Sequence, residues 1–254
     1  MRKLLLSIGF LVTVNLATGT DLYVTYTQGL YSASASFVMS GSNLVITMEN
    51  VANPANVTGN TYILSGIFFD STGAVAPNLA EPQTAYIDDA TNVKNRWDVS
   101  TYTPNSTDVG SQWAFKFLSG GFTPVPYSPH YGIASAGFSA LGGGFSFGTG
   151  DIMDPAAYPW SGIGPDGGDF GLVPVGFTGY GNANPSYSPL IMGPVHFVLS
   201  VPEGFDPATA ISKIVFAYGT GPDYFLVPEP GVVGSLSLLL AGLGLYLQRR
   251  KKTT

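Results

Sequence analysis

The sequence predicts an all-β protein: an antiparallel β-sandwich, with a jelly roll as one arrangement of it, carrying long Gly/Pro/Asp loops. Three observations lead there. Only 10% of the residues are charged, so no long helix with a solvated outer face can be written. The chain instead repeats short runs in which apolar and polar residues alternate, the period of a half-buried strand. Its 33 glycines and 19 prolines fall between those runs and supply turns. Many short strands separated by turn signals are the pattern of a sandwich.

Taken in order, Leu22, Val24 and Tyr26 alternate with polar or mixed neighbours, and residues 30–39 alternate small residues before Phe37-Val38-Met39. Residues 43–49 put Leu44, Ile46 and Met48 on one face and Val45, Thr47 and Glu49 on the other. Residues 62–69 are more continuously apolar, as expected of a strand covered on both faces. Trp113, Phe115 and Phe117 alternate with Ala114 and Lys116, and residues 195–201, 214–218 and 224–227 give further strands. One helical turn is predicted at residues 206–210, where Asp206 caps and Pro207 takes the first helical position. Residues 78–108 and 142–189 read as long loops. No internal repeat or internal domain boundary is visible.

Both ends carry targeting patterns. Met1-Arg2-Lys3 followed by the apolar run Leu4 to Leu16 has the charge and length of a signal peptide, residues 1–19, with cleavage after Gly19 and nearby alternatives after Ala17 or Thr20. Thirteen apolar residues are short for an uncleaved anchor. Residues 20–226 then form the exported domain, and residues 227–254 the tail. In the tail, the uncharged residues 231–247 span about 25 Å as a helix, close to what a bilayer core of about 30 Å requires. Arg249, Arg250, Lys251 and Lys252 follow and favour the cytoplasmic side. Pro228 and Pro230 set the helix start and hold Glu229 in extended backbone.

Val227-Pro228-Glu229-Pro230, the apolar helix and the terminal basic cluster together resemble the PEP-CTERM sorting signal. That resemblance implies recognition by an exosortase, an integral-membrane cysteine transpeptidase-like enzyme of Gram-negative bacteria. It also implies transient residence in the inner membrane and cutting near the Pro-Glu-Pro motif. The body is similar to a family of exosortase-dependent surface proteins without assigned activity. The resemblance rests on residues 61–70, 111–117, 132–138, 166–172, 189–191 and 211–219 in that order. Where that family often has Gly-Glu-Trp-Ala, this chain reads Gly110-Ser111-Gln112-Trp113-Ala114.

Composition narrows the chemistry. Cysteine is absent, which removes disulfides, thiolate metal sites and a cysteine nucleophile. Residues 20–226 hold four cations (Lys94, Arg96, Lys116, Lys213) against fifteen acids, a net charge of −11. Such a body repels nucleic acid and anionic lipid. Gly137-Phe138-Ser139-Ala140-Leu141 lacks the second glycine of a nucleophile elbow. The two histidines, His130 and His196, have no metalloprotease spacing; His196 is expected on a strand, facing solvent or satisfied in the core, and His130 in a loop. The Gly142–Gly144 and Gly148–Gly150 stretches have no following Lys and are not phosphate loops.

Asp151, Asp154, Asp166 and Asp169 are the candidate calcium ligands, hard oxygen donors on loops, although Asp-Gly pairs are equally ordinary turn formers. Trp97 and Trp160 with nearby tyrosines offer a sugar-stacking surface, and Glu49, Glu81 and Glu203 with the aspartates are the acids a glycosidase pair would draw on. No catalytic residues are assigned. The expected function is that of a non-enzymatic structural or adhesive protein at the cell surface or in the extracellular matrix. The alternatives are a glycan-binding module for matrix polysaccharide and, in the enzyme class, a polysaccharide hydrolase or lyase.

Overall fold

The computed structural model describes residues 11–16, 21–71, 84–95, 106–117, 120–121, 128–135, 151–153, 169–179, 189–219 and 223–226. In chain order the strands begin with β1 (Leu11–Leu16), β2 (Leu22–Gln28), β3 (Tyr31–Ser40), β4 (Asn43–Asn50) and β5 (Leu64–Ser71). Next come β6 (Thr84–Tyr86), β7 (Val93–Asn95), β8 (Trp113–Phe117), β9 (Tyr131–Ser135) and β10 (Leu172–Val173). The last are β11 (Pro189–Met192), β12 (Val195–Ser200), β13 (Ile211–Tyr218) and β14 (Asp223–Leu226). The helical turn α1 (Pro207–Ala210) lies where predicted, with the Asp206 carboxylate accepting from Ala208 N.

The strands form two sheets. The first has the order β1-β2-β3-β4-β12-β6 and is antiparallel throughout. The second runs β14-β13-β5-β10-β11-β7, with β9 also paired to β5 and β8 to β9. This second sheet is mixed, because β10 pairs in parallel with β11. Here the structure departs from the expected all-antiparallel arrangement. Fifteen residues separate Val173 from Pro189, enough chain for the crossover that a parallel pair needs.

Alternation explains how the sheets meet. Leu44, Ile46 and Met48 are fully buried while Val45, Thr47 and Glu49 of the same strand are only partly covered. In β5 the adjacent Phe68 and Phe69 are both fully buried, so both faces of that strand are covered, as its apolar run predicts. One core cluster draws on both sheets. Edge-on ring contacts cross between them: Phe37 on Phe69 (5.6 Å), Trp113 on Phe197 (4.9 Å) and Tyr31 on Tyr218 (5.1 Å). Such aromatic pairs contribute about 1 kcal/mol each beyond the area they bury.

Asn50 ends β4 as a buried polar bridge. Its side-chain amide donates to Tyr62 O (2.9 Å) and Leu172 O (3.1 Å), and its oxygen accepts from Ala52 N (3.1 Å). Gly66 lets β5 and β9 approach closely: a Cβ there would lie 2.8 Å from Ile133 O.

Several expectations change. Residues 78–108, read as loop, contain β6, β7 and a 3₁₀ turn at Ala90–Asn92. Residues 142–189, also read as loop, contain β10. Strands of two or three residues carry too little alternation to be read. Leu11–Leu16, inside the span predicted as the signal peptide, lies antiparallel to β2 over six residue pairs. Among the described residues no helix is long and apolar enough to cross a membrane; residues 231–247, expected as the transmembrane helix, lie outside them.

Candidate functional site

Two polar features stand out, one on each sheet. On the second sheet, Asp70 closes the apolar run of β5 and is only 8% exposed. Its Oδ2 accepts from Lys213 Nζ at 2.8 Å, and its Oδ1 lies 3.0 Å from Ser71 N and 3.3 Å from His130 Nδ1. Lys213 reaches it because β13 bulges between Ser212 and Val215, with Lys213 in the left-handed region at φ 51°. Burial pushes the Asp70 carboxyl up, but hydrogen bonds and charge from Lys213 and then His130 outweigh it, leaving the carboxyl below its ordinary value. Both oxygens are engaged, so this carboxylate works as a clamp between β5, β13 and the start of β9. Phe117, 46% exposed, stacks over His130 at 6.1 Å and packs on Tyr131 at 5.3 Å.

The first sheet presents an outward row that crosses five strands. Register places Tyr23 beside Ser36, Ser36 beside Thr47, Thr47 beside His196 and His196 beside Tyr86. The His196 ring is held on three sides. It stacks on Tyr86 (4.8 Å, 21°), its Nδ1 lies 2.9 Å from Thr47 Oγ1, and its Nε2 sits 3.3 Å from Asp88 Oδ1 without an aligned hydrogen bond. Tyr23 and Tyr86, on the first and last of these five strands, are 40% and 38% exposed. Register sets Asn15 of β1 beyond Tyr23, and Asp108 bridges Tyr86 on its far side. Next to it run a second row of Thr25, Ser34 and Glu49 and a third of Val38, Val45, Val198 and Thr84. Burial pushes the Glu49 carboxyl up from its ordinary value.

The residues singled out from sequence are dispersed. Asp151 pairs with Lys116 at 2.8 Å, and Asp169 is buried at 4% exposure beside Phe170, whose φ is 58°. Asp154 and Asp166 lie outside the described residues, as do Trp97, Trp160 and Glu81. Among the described residues no three His, Asp or Glu side chains converge as metal ligands. Val227, Pro228, Glu229, Pro230 and the basic residues 249–252 also lie outside the described residues. His196 is on a strand and faces outward, one of the two placements expected. His130, expected in a loop, immediately precedes β9 and meets Asp70. In the Gly110-Ser111-Gln112-Trp113-Ala114 segment, residues 110–112 form a buried 3₁₀ turn and Trp113 is core.

Sequence reading did not single out Asp70 and Lys213. The signal was there, since each is a charge set within an apolar strand run of a chain with few charges. Tyr23, Ser36 and Tyr86 could be found only once register was known.

Fold and surface together define a mostly β protein of two facing sheets, with an ion-paired clamp on one and a hydroxyl-rich outer row on the other. No family model, curated protein or solved structure matches the chain.

Proposed function

We propose that this chain is an exported β-sandwich protein sorted by its C-terminal tail to the cell envelope. It is then displayed at the cell surface or released into the extracellular matrix, and its role there is structural or adhesive, without catalysis. The observation that carries the reading is the order of the tail in the sequence: Val227-Pro228-Glu229-Pro230, an uncharged, mostly apolar segment at 231–247, then Arg249 to Lys252. The strand layout supports it. All fourteen strands of the described residues lie upstream of the motif, and β14 ends at Leu226, one residue before Val227. A processing enzyme in the inner membrane, an exosortase, could therefore cut near Glu229 without breaking either sheet. The net acidic charge of the body, −11 over residues 20–226, suits a surface that stays clear of anionic lipid and nucleic acid.

Cell fractionation with mass spectrometry of the mature C-terminus tests the proposal. The expected product ends near Pro228-Glu229-Pro230 and is recovered from the envelope exterior or the medium. A chain that retains residues 231–254 in the inner-membrane fraction would overturn it.

A further inference from the structure

We infer that the outer row Tyr23–Ser36–Thr47–His196–Tyr86 on the first sheet is a binding site for an extended, neutral polysaccharide segment. This goes beyond sorting, because it assigns the body a ligand class and a place to hold it.

The row is built from one residue of each of five adjacent strands, β2, β3, β4, β12 and β6. Neighbouring strands lie about 4.8 Å apart, so four steps carry the row about 19 Å across the sheet. That length fits a segment of polymer rather than a single small molecule. Tyr23 and Tyr86 stand on the first and last of these strands, with the smaller side chains of Ser36 and Thr47 and the His196 ring between them. Register continues the row to Asn15 beyond Tyr23 and to Asp108 beyond Tyr86. The flanking Thr25 and Ser34 add hydroxyls.

Charge selects among ligands. None of the five strands carries Lys or Arg, and residues 20–226 have a net charge of −11. A polyanion, whether nucleic acid or acidic polysaccharide, finds no counter-charge here. A protein partner would call for an aromatic or Arg anchor ringed by apolar contact. Here the apolar row Val38, Val45 and Val198 runs along one flank only, the other flank is Thr25, Ser34 and Glu49, and the interior is Ser, Thr and His. A neutral sugar chain matches on both counts. Hydroxyls donate and accept, as sugar hydroxyls need, and the rings offer apolar faces to the C–H surfaces of the sugar.

The row is also pre-ordered. Stacking on Tyr86 and the contact with Thr47 fix the His196 ring before any ligand arrives. Whichever of Nδ1 and Oγ1 donates, the Thr47 hydroxyl retains capacity for a further bond. A rigid site loses less side-chain entropy on binding than a floppy one.

The test is affinity electrophoresis of the full chain in mild non-ionic detergent, through native gels cast with hydroxyethyl cellulose, dextran or galactomannan, and with dextran sulfate as the polyanion. Retardation by at least one neutral polymer and none by dextran sulfate is expected. Tyr23→Ala and Tyr86→Ala should each weaken binding roughly fivefold, and the double variant more than tenfold. Phe117→Ala, an exposed aromatic on the other sheet, should bind as the parent does. Hydrogen–deuterium exchange on the unmutated chain gives a reading independent of variant folding: the retarding polymer should protect peptides covering residues 22–28 and 84–86. Absence of retardation by every neutral polymer overturns the inference. So does equal retardation of parent and double variant, or protection confined to the second sheet.

Discussion

Replacing Asn50 by Ala should cost this protein a large part of its stability, and the size follows from what the side chain touches. Asn50 is 1% exposed and makes three hydrogen bonds, two given to Tyr62 O and Leu172 O and one accepted from Ala52 N. Each bond is worth about 1 kcal/mol net, and each backbone group left buried without a partner costs about 1–3 kcal/mol. The three together give about 3–6 kcal/mol, against a total stability of about 5–15 kcal/mol for a typical domain. With a urea m-value of about 3 kcal/mol per molar, the midpoint should fall by more than about 1 M at unchanged m. Equilibrium urea unfolding followed by tryptophan fluorescence measures this. Asn50→Asp, nearly the same shape, keeps the acceptor but loses both donors and buries a charge, so it should be damaged more at pH 7 than at pH 4, where a protonated carboxyl can donate once. A midpoint shift below about 0.3 M for Asn50→Ala would show that these carbonyls find other partners, and that Asn50 does not tie β4 to β10.

Three further outcomes are expected. Lys213→Gly should be more stable than Lys213→Ala by about 1 kcal/mol: both lose the Asp70 ion pair, but only Gly removes the Cβ cost at φ 51°; an Ala variant at least as stable refutes this in thermal melts. The Asp70 carboxyl is held below its ordinary value in the folded chain, so its contribution is complete above the unfolded value near 3.8 and is lost as pH falls through the folded value. Urea midpoints measured from pH 5 downward should therefore fall less steeply for Asp70→Asn than for the parent, and identical slopes would count against the clamp. Gly66→Ala should destabilise by about 1–3 kcal/mol, since its Cβ would lie 2.8 Å from Ile133 O and 3.1 Å from Ala134 Cβ in a buried strand pair; a melting temperature unchanged from the parent would mean that β9 moves aside freely.

Much of the strand layout was legible because alternation and burial share a cause. Leu44, Ile46 and Met48 stand two residues apart, so a single pleat buries all three, and that spacing is visible in the chain. Asp206 and Pro207 read correctly as a helix start because capping is a local interaction. The short strands were not legible. β10 spans two residues, and its position depends on Leu172 meeting Leu64 and Ile191, partners far away in the chain. Leu11–Leu16 reads as an export segment by composition, yet the same residues find six partners on β2; composition and pairing answer different questions. The clamp and the outer row were hidden for the same reason. Asp70 and Lys213 are 143 positions apart, and the register that aligns Ser36, Thr47 and His196 belongs to the sheet, not to any one strand.

The position of β14 has a mechanical consequence. It is the outermost strand of the second sheet and forms a hairpin with β13 through four pairs, from Tyr218↔Asp223 near the turn to Val215↔Leu226 at the open end. A chain tethered through its C-terminus takes up load at Leu226, where the hairpin is open. Pulled away from β13, the hairpin yields pair by pair from that end, at lower force than if all four pairs had to shear together. Under drag, the protein would therefore lengthen by paying out its last strand while the rings of the core, Phe37 on Phe69 and Trp113 on Phe197, stay packed.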